Sequence, residues 1–149
     1  MKNRIYILIV LLFAICSYSQ NVNMILKVND KMLDGEITAL YLVSGEDKYY
    51  VNYYPGDLIF NEVVWAKIQS DTLKKFHLRF TYNNFKKNKQ ETKDFDIELN
   101  TELFKQPYLI VNIYDFRDKR YRKWYQYLTK ENYLVEINCP NCAHKARME

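Results

Sequence analysis

The chain has 149 residues and a formal net charge of +4 at pH 7, to which Lys2 and Arg4 contribute two positive charges. Its one long apolar run, near the N-terminus, has about a dozen residues and falls short of the roughly 20 that span a bilayer as a permanent helix. No internal repeat is visible at a period of roughly 20–50 residues, which argues against a solenoid or a propeller.

Residues 1–19 have the three parts of a secretory signal peptide. A basic start precedes the apolar run Ile5–Cys16, and Ser17 and Ser19 occupy the small-residue positions before a cleavage site predicted after Ser19. The protein is therefore predicted to be exported to the periplasm, the cell surface or the extracellular medium. Lipidation at Cys16 is a lesser alternative, because the residues before it do not fit the pattern of a lipoprotein signal.

The first half of the exported chain alternates short apolar or aromatic segments with turn residues. Pro55 and Gly56 lie in the middle of the segment Tyr54–Asp57, which is typical of a type II turn because glycine accepts the positive φ at the third position. Strands are predicted at Met24–Val28, Ile37–Val43, Lys48–Tyr54, Leu58–Phe60 and Val63–Gln69.

The clearest apolar–polar alternation follows, in a strand predicted at Phe76–Tyr82. The next segment, residues 83–93, is polar and rich in lysine, and the alternation resumes at Phe95–Leu99. A long hairpin is expected here, with residues 83–93, including Lys93, as its exposed loop. Residues 100–106 are expected to form one helical turn capped by Asn100 or Thr101.

The segment Tyr108–Phe116 is apolar on both faces of an extended chain, with Asn112 and Asp115 as its polar exceptions. This pattern predicts a central strand covered on both sides. The Tyr- and Arg-rich segment Arg120–Leu128 is predicted to be a strand beside it, and Tyr133–Asn138 the last strand.

About eight short strands at intervals of roughly 8–12 residues predict an all-β fold, an antiparallel β-sandwich of the immunoglobulin-like or transthyretin-like type. The predicted sandwich domain covers residues 20–138, and residues 139–149 form a C-terminal tail.

The tail begins with Cys139 and Cys142, the two cysteines that remain after removal of the signal peptide. An oxidising compartment favours a disulfide between them. Two lesser alternatives are a redox-active C-x-x-C pair and a zinc site with His144 and His77. No metal and no cofactor is predicted.

Two further groups of residues are candidate sites. Asp94, Asp96 and Glu98 form an acidic row on one face of a strand, which can serve acid–base chemistry, although a solvated strand face is the commoner explanation. The other group combines aromatic rings and cations, a composition that stacks on sugars or bases. These candidate ligand-binding residues are Tyr121, Arg122, Lys123, Trp124, Tyr125 and Tyr127.

The segment Ser17–Gln20 and the Tyr-, Lys- and Asn-rich composition resemble those of uncharacterised exported proteins of Bacteroidetes-type bacteria, which implies export and carries no catalytic residues. The turn Tyr53–Asp57 resembles those of transthyretin-like and carboxypeptidase-regulatory sandwiches.

Together these features predict a non-enzymatic exported binding or structural accessory domain. Its ligand is expected to be a protein or a glycan and not nucleic acid, and its oligomeric state is left open. The alternative is a small periplasmic hydrolase that uses Asp94, Asp96 and Glu98.

Overall fold

The computed structural model describes residues 21–70, 75–86 and 89–142, so the predicted signal peptide lies outside the described residues. The described elements, in chain order, are β1 Asn21–Val28, β2 Lys31–Met32, β3 Ile37–Ser44, β4 Asp47–Tyr50, β5 Asn52–Tyr54, β6 Gly56–Ile59, α1 Glu62–Gln69, β7 Lys75–Lys86, β8 Lys89–Asn100, a 3-10 helix Thr101–Lys105, β9 Leu109–Asp115, α2 Lys119–Tyr125 and β10 Tyr133–Asn138.

The strands form two sheets that pack against each other, which confirms the all-β sandwich. The six-stranded sheet has the order β10-β9-β1-β6-β5, with β2 paired to β1, and the four-stranded sheet has the order β4-β3-β7-β8. The prediction of antiparallel pairing fails at one pair, because β1 and β9 run parallel. Parallel neighbours need a long connection, and here most of the chain lies between the two strands.

Strand β9 lies inside the six-stranded sheet, as predicted for a central strand. Leu109, Val111 and Ile113 are buried between the sheets, while the alternate side chains face outward and are partly exposed. Its neighbours are β1 and β10. The prediction that Arg120–Leu128 is a strand beside it is wrong, because α2 occupies most of that segment.

Strands β7 and β8 form the expected long hairpin, with Phe76, Leu78, Phe80 and Tyr82 buried. The predicted loop is much shorter than residues 83–93, because pairing continues from Asn83 opposite Thr92 to Lys86 opposite Lys89. Polar side chains do not interrupt the ladder, since the hydrogen bonds of a hairpin are made by the backbone.

Helix α1 replaces the strand predicted at Val63–Gln69. The side chain of Asn61 accepts a hydrogen bond from the backbone N–H of Val64 at 2.9 Å, which caps the first turn. Val64 and Ile68, one turn apart, are buried in the core. The β-branched residues favour a strand locally, but the cap and this spacing support a helix.

Two local predictions are confirmed. Asn100 caps the 3-10 helix by accepting a hydrogen bond from the N–H of Leu103 at 3.1 Å. Gly56 has a φ of +103° in the turn between β5 and β6, which is a conformation that glycine adopts without steric cost.

The two sheets meet along two edges of the sandwich. On one side the chain runs from β4, an edge of the four-stranded sheet, through buried Val51 into β5, an edge of the six-stranded sheet. We call this the Val51 corner. On the other side the edge strands β8 and β10 are joined by side chains.

We call this second junction the β8–β10 seam and define it by Lys93, Asp96, Asp115, Arg117 and Tyr133. Lys93 Nζ donates a hydrogen bond to Asp115 Oδ1 at 2.8 Å. The hydroxyl of Tyr133 donates to the backbone oxygen of Asp96 at 2.8 Å. Side chains thus link the four-stranded sheet to the six-stranded sheet.

Candidate functional site

The six predicted ligand-binding residues lie on or just after α2 and not on a strand, so the predicted alternation of their faces is wrong. Asp118 caps α2 by accepting a hydrogen bond from the backbone N–H of Arg120 at 3.0 Å. Tyr121 is buried and Tyr125 is partly buried. Four of the six are exposed, namely Arg122, Lys123, Trp124 and Tyr127.

The buried face of α2 packs on Tyr114, which faces outward from β9. The ring centroid of Tyr114 lies 5.4 Å from that of Tyr121 and 4.8 Å from that of Tyr125. The Tyr121 hydroxyl donates to the carboxylate of Asp30, and this hydrogen bond raises the pKa of Tyr121 to about 12. The Tyr114 hydroxyl donates to Glu136 at 2.9 Å. These rings therefore hold α2 on the sheet.

The turn between β1 and β2 positions two polar side chains that hold neighbouring elements. Asn29 and Asp30 have φ values of 50° and 65°, a left-handed conformation that Asn and Asp tolerate and that suits a two-residue hairpin turn. Asp30 accepts the hydroxyl of Tyr121, whereas the side-chain oxygen of Asn29 accepts the N–H of Asp115 at 2.7 Å. The turn thus links β1 to both α2 and the end of β9.

The acidic row lies on the outer face of β8, as the alternation predicts, opposite the buried side chains of that strand. Each carboxylate accepts a hydrogen bond from a side chain of β7. Asp94 is bound by the Thr81 hydroxyl at 2.6 Å, and Glu98 by Lys75 Nζ at 2.9 Å. The row is therefore a ladder of cross-strand pairs and not a set of free carboxylates.

Asp96, at the centre of this ladder, contacts two side chains of β7. Its Oδ1 lies 2.6 Å from His77 Nδ1, and its Oδ2 accepts a hydrogen bond from Arg79 Nε at 2.7 Å. The backbone N–H and C=O of Asp96 both point to the Tyr133 hydroxyl, so Arg79 and Asp96 are a non-hydrogen-bonded pair, in which side chains approach most closely. The terminal guanidinium nitrogens of Arg79 and the Nε2 of His77 have no hydrogen-bond partner among the described residues.

Aromatic residues continue the Arg79–Asp96 pair across the four-stranded sheet. Tyr41 on β3 lies opposite Arg79, and Tyr50 on β4 lies opposite Tyr41. The two tyrosine rings are 6.2 Å apart, and Tyr50 is 68% exposed. Lys48 Nζ lies 3.7 Å from the centre of the Tyr41 ring. One row of four strands thus presents two phenol rings, a guanidinium group and a carboxylate.

An open groove of about 470 Å³ lies along this face. The segment before β10 forms one wall with Glu131 and Asn132, and Tyr133 of the seam lies beside them. We call this the sheet groove and define it by Tyr41, Arg79, Thr81, Asp94, Asp96 and Glu131.

The sequence identified Asp94 and Asp96 but did not group Tyr41 or Arg79 with them. One available signal was the polar parity of His77, Arg79 and Thr81, which a hairpin brings beside the polar parity of β8. The register, however, fixes which residues pair. The position of Tyr41 depends on the order of strands in the sheet, which no local pattern encodes.

Cys139 and Cys142 follow β10 directly. Their sulfur atoms lie within disulfide-bonding distance, and their Cα atoms are 5.0 Å apart. His144, the proposed further zinc ligand, lies outside the described residues. In the part of the chain that the structure describes, no group of three or more His, Cys, Asp or Glu side chains is arranged to hold a metal ion. Within the same residues no helix is long and apolar enough to cross a membrane.

No protein-family model matches the chain, and no curated protein or solved structure is significantly similar to it. Its function is therefore inferred from geometry.

Proposed function

We propose that the protein is a non-enzymatic exported binding module and that it binds a glycan in the sheet groove. The observation that carries this proposal is the row of Tyr50, Tyr41, Arg79 and Asp96 across four neighbouring strands. Such a row combines two aromatic rings, of which that of Tyr50 is exposed, with hydrogen-bonding groups that the sheet holds in fixed positions. Preorganised groups lose little conformational entropy when a ligand binds.

A sugar ring matches this combination of groups. Its apolar C–H face packs on an aromatic ring, while its hydroxyl groups both donate and accept hydrogen bonds. Asp94 and Asp96 offer charged acceptors on one side of the groove, and the terminal nitrogens of Arg79 offer donors beside them. Concave sites with a few convergent polar groups are the usual location of small-ligand binding.

The charges of this face favour a neutral ligand. Acidic and basic side chains lie next to each other, and Lys75 pairs with Glu98 and Arg79 with Asp96 within the face itself. The cations are Lys48, Lys75 and Arg79, and the carboxylates are Asp94, Asp96, Glu98 and Glu131. A nucleic acid needs an excess of cations to neutralise its phosphates, so it is not expected in this groove.

The test is a glycan array probed with the exported protein, followed by calorimetric titration of any glycan that binds. Tyr41→Ala and Arg79→Ala should each weaken binding roughly tenfold or more, because each removes a side chain that lines the groove. Tyr54→Ala is the matched control, since Tyr54 is 62% exposed on β5 of the other sheet. An affinity that survives both groove substitutions, or an array without any bound glycan, would refute glycan binding in the groove.

The hydrolase alternative uses the same carboxylates, and a turnover assay distinguishes it from a binding module. A glycoside hydrolase places its two carboxyl groups on either side of the scissile bond. Asp94 and Asp96 instead project from one face of one strand, and β7 side chains hold both, which favours binding over hydrolysis. The hydrolase would be established if the protein releases reducing ends from a glycan and the double variant Asp96→Asn with Glu98→Gln does not.

Export is tested separately from binding. After cell fractionation the protein should be found outside the cytoplasm, with Gln20 as its first residue. A cytoplasmic protein that retains Met1 would contradict export but would leave glycan binding open to its own test.

A further inference from the structure

Helix α2 and the segment after it carry an excess of positive charge. Five cationic residues and no acidic residue lie between Lys119 and Lys130. Arg120 pairs with Asp118, which precedes the helix. The four other cations are exposed and make no ion pair with any described residue, namely Lys119, Arg122, Lys123 and Lys130. This contrasts with the sheet groove, where Arg79 pairs with Asp96.

Two large aromatic side chains stand among these cations. Trp124 is 55% exposed and Tyr127 is 76% exposed. Each combines an apolar ring with a polar N–H or O–H group, and residues of this kind prefer the boundary between water and a lipid bilayer. We call Arg122, Lys123, Trp124 and Tyr127, together with Lys119 and Lys130, the α2 patch.

The patch is fixed in place before any partner binds. A helix of seven residues is not stable alone in water. Tyr121 and Tyr125 hold it by packing on Tyr114, and the Tyr121 hydroxyl bonds to Asp30 of the β1–β2 turn. Trp124 is held beside this stack, with its ring 6.1 Å from that of Tyr121 in an edge-on arrangement. Binding through the patch therefore requires little reordering.

We propose that the α2 patch docks on the surface of an anionic lipid bilayer. The cations contact lipid phosphates, and the rings of Trp124 and Tyr127 enter the headgroup region. Charge complementarity identifies this partner, because each Lys or Arg near an anionic membrane surface raises the affinity for that surface roughly fivefold.

The experiment is co-sedimentation of the exported protein with vesicles. The protein is expected to bind phosphatidylcholine vesicles that contain phosphatidylglycerol and not to bind vesicles of phosphatidylcholine alone. The affinity for the anionic vesicles should fall as the salt concentration is raised. Arg122→Gln with Lys123→Gln should weaken binding roughly 25-fold, the product of two cation contributions. Lys48→Gln with Lys75→Gln removes the same charge from the four-stranded sheet and should leave binding unchanged.

Trp124 provides a second readout. The chain has two tryptophans, so Trp65→Phe leaves Trp124 as the only indole. Its fluorescence should shift to shorter wavelength with anionic vesicles, and circular dichroism checks that each variant is folded. No sedimentation with anionic vesicles, or equal binding by the Arg122/Lys123 variant, would overturn the proposal. So would binding to a soluble polyanion such as heparin without binding to vesicles.

Discussion

The two sheets are joined in different ways along their two edges. At the Val51 corner one continuous segment supplies both edge strands, and Val51 is buried with its N–H near the carbonyl oxygen of Leu40, at 3.5 Å. At the β8–β10 seam the described contacts between the sheets are made by side chains. The corner cannot open without unpairing β4 or β5, whereas the seam depends on a few polar groups, and Asp96 and Tyr133 also border the sheet groove.

The centre of the seam is a buried carboxylate with two cationic partners. The side chain of Asp115 is 4% exposed and accepts hydrogen bonds from Lys93 Nζ at 2.8 Å and Arg117 Nε at 2.7 Å. Burial by itself raises the pKa of Asp115, but the hydrogen bonds from Lys93 and Arg117 outweigh it and hold the pKa below the usual 3.8. Burial lowers the pKa of Lys93 despite its bond to Asp115. Each of the two buried charges is thus stabilised by the presence of the other.

The largest effect is expected from Asp115→Ala. Removal of one partner of a buried ion pair leaves the other charge without compensation, which costs about 3–5 kcal/mol. Val51→Ala at the corner should cost less, about 1–3 kcal/mol, because it removes only apolar contacts. Urea denaturation measures both free energies of unfolding.

A double substitution tests the cause of this loss. Lys93→Met with Asp115→Leu removes both charges and should recover most of the stability that Asp115→Ala loses. If the double variant is as unstable as Asp115→Ala, packing and not the unpaired charge of Lys93 determines the loss.

The next effect is a loss of stability in acid. Because the folded pKa of Asp115 lies below its unfolded value of 3.8, its contribution is complete above that value and disappears as the pH falls through the folded pKa. The free energy of unfolding should therefore fall below about pH 4, with a shallower fall in Asp115→Asn. Glu36, whose pKa is lowered by its hydrogen bond from Lys31, should supply part of the remaining slope. Equal slopes in both proteins would show that Asp115 does not titrate as inferred.

The sequence predicted the strands whose side chains alternate, because that signal is local. β7 and β8 are examples. It missed α1 and α2, since β-branched and aromatic residues favour strands, while the N-caps Asn61 and Asp118 and the packing of the helices decide otherwise.

The seam carried a signal that was only partly used. Asp115 is a polar exception in the apolar segment Tyr108–Phe116, whereas the lysine-rich composition of residues 83–93 predicts an exposed loop for Lys93. Lys93 shares the parity of Phe95, as Asp115 shares that of Ile113, so each carries a charge on the buried face of its strand. Two opposite charges on buried faces indicate an ion pair. The contact between Lys93 and Asp115 nevertheless depends on how the two sheets pack, which no local sequence pattern predicts.

The smallest effect distinguishes the two edges most directly. Tyr133→Phe removes a hydroxyl that bonds to the backbone of Asp96, and Tyr53→Phe removes one that accepts the N–H of Leu26 at 3.0 Å, on the other side of the sandwich. Each should cost about 1–2 kcal/mol of stability, the usual loss when a backbone group is left unsatisfied. Only Tyr133→Phe should also weaken glycan binding, because Asp96 orients Arg79 in the sheet groove. Denaturation and calorimetric titration of both variants make the comparison, and an equal affinity in the two would mean that the seam supports the fold without positioning the groove.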